Sequence, residues 1–174
     1  MRKAFTFVEV MIALVIVAIV TTVALVPTSS LDVQQANAAG HMFSALVEYG
    51  QNMAITRTDQ VYQLKVDKPG NRFWLATAAA PDTPLTNPIT KAPCLVQLGT
   101  LSPDGLKTVT IKNYDFGGDA VVKFDTSGAL DQSTPAQIEF GVKTSSFTVA
   151  LSPITGVPAF KVGKLSMQAA QAFE

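Results

Sequence analysis

Twenty consecutive residues, Phe7 to Val26, carry a single charge, Glu9, in an otherwise apolar or hydroxyl-bearing run. At about 1.5 Å of rise per residue this makes roughly 30 Å of helix, the thickness of a bilayer core. The pattern predicts a transmembrane helix. Arg2 and Lys3 stand just before it, whereas the first charges after it are Asp32, Glu48 and only then Arg57. Basic residues stay on the cytoplasmic side, so the amino terminus is expected inside and the bulk of the chain outside. Glu9 is the anomaly. An ionisable group at mid-span costs roughly 2.5–3.5 kcal/mol on insertion scales, so it is expected to have a partner.

Pro27 interrupts the run, because it lacks a backbone donor and its ring clashes with the preceding turn. Ser29, Ser30 and Asp32 then supply capping chemistry, and apolar residues recur at helical spacing from Leu31 to Thr56: Val33, Ala36, Phe43, Leu46, Val47, Met53 and Ala54. This predicts an amphipathic helix, at residues 27–58, that continues the span outside the membrane. Its stripe needs a cover, and Phe43, Leu46, Val47 and Met53 read as core against a sheet.

From residue 61 the period changes to two. VYQLKVD and NRFWLATA, separated by Pro69-Gly70, predict a hairpin. Residues 79–93 hold four prolines and few core candidates, which predicts a long surface loop, either functional or mobile. Beyond it, LKTVTIKNYDF, AVVKFDTSGAL, AQIEFGVK, SFTVALSP and PAFKVG read as five more strands divided by Gly, Pro and Asp turns. The tail, Leu165 to Glu174, is weakly amphipathic and reads as a short helix or a disordered end. The fold class is therefore α+β: a long N-terminal helix, half membrane-spanning and half amphipathic, packed on an antiparallel β-sheet domain at residues 59–174.

Two general readings of the N-terminal run are open. As a secretory signal it is long beside the usual apolar region of roughly 7–15 residues, and the best small-x-small site, Ala36-Asn37-Ala38, lies ten residues beyond Val26. As a plain anchor it works, but Glu9 is left unexplained. The short basic leader followed by Phe5-Thr6-Phe7-Val8-Glu9-Val10 and an apolar helix resembles the class III signal of type IV pilins and type II secretion pseudopilins. That resemblance implies a leader of residues 1–4, cleavage by a prepilin peptidase between Ala4 and Phe5, N-methylation of Phe5, and a span over residues 5–26. Ala4 departs from the glycine usual before the cut. The resemblance also gives Glu9 a partner: the free terminal amine of a neighbouring subunit, with Thr6 beside it in the assembly segment. Two otherwise unpaired charges are then neutralised in a hydrophobic assembly, and only when subunits stack.

A second resemblance covers the rest. Ala54-Ile55-Thr56-Arg57, Phe124 to Gly128, and Thr155-Gly156 are similar to habitual elements of the GspH/FimT group of H-type minor pseudopilins and related minor pilins. It implies a structural subunit of a type II secretion pseudopilus, or else a minor pilin of a type IV pilus. The implied partners are other pilin-like subunits, a prepilin peptidase, an inner-membrane assembly platform and membrane lipid. The implied location is the bacterial inner membrane, single-pass, with a periplasmic C-terminal domain. A membrane-tethered extracytoplasmic binding domain, using the 79–93 loop, is the reading from another class.

Composition adds exclusions. Thirteen basic residues balance 13 acidic ones, and without Arg2 and Lys3 the balance is 11 to 13, so no electrostatic capture of nucleic acid is expected. A single cysteine, Cys94, forbids an intrachain disulfide and reads as a partly buried loop thiol. With His41 the lone histidine, no nucleophile-base pair or zinc site is indicated, so neither catalytic residues nor a cofactor is expected. Asp115, Asp119, Asp125 and Asp131, around DFGGD and DTSGALD, evoke a calcium loop, but the second stretch lacks the spacing of one and both hold the Gly and Asp that turns need anyway.

Overall fold

The computed structural model describes residues 7, 8, 10–12, 14 and 29–162, except 104 and 144. The chain divides into two units, Met1–Ser30 and Leu31–Glu174. In the first, Phe7, Val8, Val10, Met11, Ile12 and Leu14 are helical and exposed. Ala4, Phe5, Thr6 and Glu9 lie outside the described residues, as do most of the predicted span and the tail from 163 onward. No helix among the described residues is long and apolar enough to cross a membrane.

The second unit is the predicted α+β domain. Helix α1, Ser29–Thr56, buries Ala36, Ala39, Phe43, Val47 and Ala54, an i, i+3, i+7 stripe with Gly40, Ser44 and Gly50 between its larger members. The small residues set how closely the helix approaches the strands. A methyl carbon on Gly40 would lie 2.5 Å from Phe147 Cε1, and one on Gly50 would lie 2.6 Å from Phe124 Cε2 and 2.8 Å from Leu75 Cδ1. Real carbons do not approach so closely, so only glycine lets the helix lie against both sets of strands.

Those strands form two antiparallel sheets. One runs β3-β2-β1-β5, from Leu95–Gln97, Arg72–Thr77, Tyr62–Asp67 and Val121–Phe124. The other runs β4-β6-β7-β8, from Thr110–Asp115, Ala136–Val142, Ser145–Leu151 and Pro158–Val162. The hairpin predicted around Pro69-Gly70 is present as β1 and β2, with Asp67 opposite Arg72. Strand β3 is the element the periodicity missed, because three residues are too few to display an alternation. The predicted strand over 106–116 is shorter in the structure, since Leu106 and Val109 reach the core from the turn that precedes β4.

Phe43 joins the layers. Its ring centroid lies 5.5 Å from that of Phe73 in the first sheet and 6.1 Å from that of Phe140 in the second, and Phe73 and Phe140 meet at 6.0 Å. Edge-to-face and tilted pairs of this kind add to the area they bury. Away from the helix, Asn71 connects the sheets by hydrogen bonds. At φ +51° it occupies the left-handed region that Asn tolerates better than most residues. From there its Nδ2 donates to Val109 O at 2.9 Å, and its Oδ1 accepts from Ile111 N at 2.8 Å on the edge of β4.

The 79–93 loop is anchored along its length. Leu85 N donates to Leu75 O and Cys94 N donates to Leu85 O, at 2.8 and 2.6 Å. Trp74 Nε1 donates to Pro81 O at 3.0 Å, and Lys65 pairs with Asp82 at 2.5 Å. Leu85 packs against the core, so the loop buries more than its prolines suggested.

Candidate assembly surfaces

Two surfaces stand out. The first is formed by the helical residues Phe7, Val8, Val10, Met11, Ile12 and Leu14, where Phe7 is 79% exposed and Leu14 64%. Large apolar side chains displayed in a row mark a lipid or protein contact. The leader, the cleavage pair Ala4/Phe5 and the assembly residues Thr6 and Glu9 flank or interrupt these residues in sequence, outside the described set.

The second surface lies at the C-terminal end of α1, where the three short downstream motifs meet. Gln51 Nε2 donates to Gly128 O at 2.6 Å and to Thr155 O at 3.1 Å. One amide thus ties the helix to the turn after β5 and to the turn between β7 and β8. Sequence reading singled out Phe124–Gly128 and Thr155-Gly156 as motifs but gave Gln51 no role. The signal was its place in the stretch running up to Ala54-Ile55-Thr56-Arg57, one turn before that motif.

Each turn is held by its own bonds. Asp125 Oδ1 accepts from Ser127 N, Ser127 Oγ and Ala129 N at 2.8, 2.7 and 2.9 Å. The Ser127 hydroxyl, with the backbone N–H groups behind it, holds the Asp125 carboxyl below the ordinary carboxylate value. Gly128, at φ +84°, closes this turn in a conformation L side chains rarely adopt. In the other turn, Gly156 N donates to Ser152 O at 2.7 Å and Ser152 N to Val157 O at 3.1 Å.

The remaining candidates serve the fold. Asp125 is occupied in its turn, Asp115 Oδ1 accepts from Gly117 N, and Asp131 Oδ1 accepts from Lys123 N. Among the described residues no three His, Cys, Asp or Glu side chains group so as to hold a metal ion. His41 packs its ring 4.9 Å from that of Phe160 on β8. Cys94 lies just before β3 in the other sheet, 8% exposed, and burial pushes its thiol up. The structure does not pair the two residues.

Comparison with known proteins adds two findings. Residues 1–25 match the prokaryotic N-terminal methylation motif. The fold is similar to that of EpsH, a minor pseudopilin of the type 2 secretion system of Vibrio cholerae. Two structures of EpsH give TM-scores of 0.54 and 0.55 at 15% and 14% identity, covering 74% and 76% of this chain and 97% and 98% of theirs. The type IV minor pilin FimU of Pseudomonas aeruginosa aligns at a TM-score of 0.49 and 12% identity, over 75% of this chain and 90% of FimU. No curated protein matches the chain by sequence.

Proposed function

We propose that this type IV pilin-like chain is a minor pseudopilin, a non-enzymatic subunit of a type II secretion pseudopilus. The observation that carries the reading is one of order: an N-terminal methylation motif at residues 1–25 precedes a domain with the pseudopilin fold. Lack of a disulfide and of a basic stripe favours a secretion pseudopilus over a type IV pilus, where such a chain would be a minor pilin.

In this reading a prepilin peptidase removes residues 1–4 by cutting between Ala4 and Phe5, and Phe5 becomes the N-methylated first residue. Residues 5–26 hold the chain in the inner membrane with the amino terminus cytoplasmic, residues 27–58 extend the helix, and residues 59–174 fold in the periplasm. The assembly platform then moves the subunit from lipid into a bundle of other pilin-like subunits. The exposed apolar side chains from Phe7 to Leu14 serve either environment, so they do not by themselves favour assembly. Glu9 does. In lipid it is an isolated acid, while in the bundle it meets a neighbour's terminal amine, with Thr6 one turn before it. The charge pair therefore gives the assembled state an advantage that lipid lacks and fixes the axial register of neighbouring helices.

The test is N-terminal sequencing with intact mass on protein extracted from its native membrane. A chain that begins at N-methylated Phe5 is the expected result. Retention of Met1 to Ala4 would instead favour a plain tethered binding domain and make Ala4 a disabling departure. A start near Ala39 would mean a secreted domain and remove the role of Glu9.

A further inference from the structure

The turns fastened by Gln51 leave a groove of about 280 Å³ between Glu48 and Ile55 on α1, the turn at Ser127 and the turn at Ile154. An open groove of this size takes one or two side chains of another protein. Its lining is mostly polar, from Glu48, Gln51, Asn52, Ser127 and Thr155, and two apolar side chains stand open on it, Ile154 at 80% and Ile55 at 53% exposed. It is also built in advance. Gln51 fixes both turns, and Ile55 Cδ1 already lies against Gly128. A surface built in advance lowers the ordering cost of association.

Charge selects the occupant. Glu48 is exposed on the wall and makes no ion pair among the described residues. The last turn of α1, whose carbonyls carry partial negative charge, contains no basic residue, and the exposed Arg57 that follows it does not line the groove. No lysine or arginine lines the groove. We infer that this groove docks a neighbouring pilin-like subunit through a segment that places an apolar side chain beside a lysine or arginine. The inference rests on the assembly reading and extends it to a defined contact outside the membrane.

The experiment places a photo-crosslinking amino acid at Ile154 of the full-length chain in cells that assemble the filament, with Ile89, equally apolar and 88% exposed, as the control position. The expected product at Ile154 joins a pilin-like subunit through a peptide with a basic residue beside an apolar one. Its yield falls about tenfold or more in Glu48→Lys, through like-charge repulsion, and returns when the partner's basic residue is changed to Glu. Equal yields at Ile154 and Ile89, indifference to Glu48→Lys, or crosslinking to lipid, a second copy of this chain or an uncharged segment would each overturn the docking assignment. A processed chain that assembles normally without an Ile154 product overturns the groove alone. A chain that keeps Met1 to Ala4 and never assembles overturns the assembly reading beneath it.

Discussion

The two helical regions of this chain differ in composition and in where their apolar side chains go. In α1 the large residues fall on one stripe, and Phe43 and Val47 are fully buried beneath the two sheets. In the N-terminal unit, Phe7, Val8, Val10, Met11, Ile12 and Leu14 are all exposed. An amphipathic stripe can be satisfied inside one domain, whereas a helix apolar on every side needs other molecules around it. The first pattern stabilises a fold. The second is available for lipid or for other helices, and in the proposed reading the carboxylate of Glu9 selects between them.

The largest predicted effect follows from that carboxylate. Glu9→Ala is expected to leave cleavage at Ala4/Phe5 intact while reducing recovery of the subunit in sheared filaments at least about a hundredfold, the scale of the roughly 3–5 kcal/mol lost when a buried charge is left without its partner. Immunoblotting of the filament fraction, with N-terminal sequencing of the membrane pool, checks both halves. Normal incorporation of the alanine variant would reduce the N-terminal helix to a plain anchor. Next in size is Phe43→Ala, which removes the ring shared by both sheets and is expected to cost about 3–5 kcal/mol. Denaturant unfolding of the full-length chain in micelles, followed through its single tryptophan, Trp74, reads the loss. Met11→Ala in the N-terminal region should leave the same transition within about 0.5 kcal/mol, and a comparable loss there would break the contrast.

Sequence made the stripe on α1 legible because helical periodicity needs only local information, and 28 residues repeat it many times. It made the β1–β2 hairpin legible for the same reason, through alternation around a Pro-Gly turn. Strand β3 was too short to repeat anything. The division into two sheets depends on contacts distant in sequence, such as Asn71 with Val109 and Ile111, and no periodicity encodes those. The second surface was half visible: the glycine turns could be read, but a glutamine reaching 77 and 104 residues ahead could not. The 79–93 loop misled in a particular way. Its prolines signalled irregular backbone correctly, yet irregular backbone can still be fastened, here by Leu85, Trp74 and Asp82.

Gln51 offers a finer division within α1. Unlike Phe43, it acts through hydrogen bonds at the partly exposed end of the helix. Gln51→Leu keeps the bulk and leaves the Gly128 and Thr155 carbonyls without their donor, at an expected cost of about 1 kcal/mol. Hydrogen exchange should rise at the two turns and remain unchanged in β6. Uniform acceleration across both sheets would mean that Gln51 supports the whole domain rather than this end of it.

The smallest effect is electrostatic and confined to the α+β domain. Asp67 Oδ1 accepts from Gly70 N at 3.0 Å and Oδ2 from Arg72 Nε at 2.9 Å, closing the β1–β2 turn. The Gly70 amide first, and then the Arg72 guanidinium, hold its carboxyl below the ordinary value of 3.8. A depressed folded-state value means that the group stabilises the fold above pH 3.8 and loses that contribution as pH falls through the lower folded value. Because the pair is partly solvent-exposed, the contribution is a fraction of ~1 kcal/mol and is screened by salt. Asp67→Asn should therefore lower the unfolding midpoint slightly at pH 6 and by progressively less as pH falls below 3.8, flattening the acid limb, with the difference shrinking in 1 M salt. An acid limb that keeps its slope in the variant would assign the pH dependence to other carboxylates and leave the turn held by backbone bonds alone.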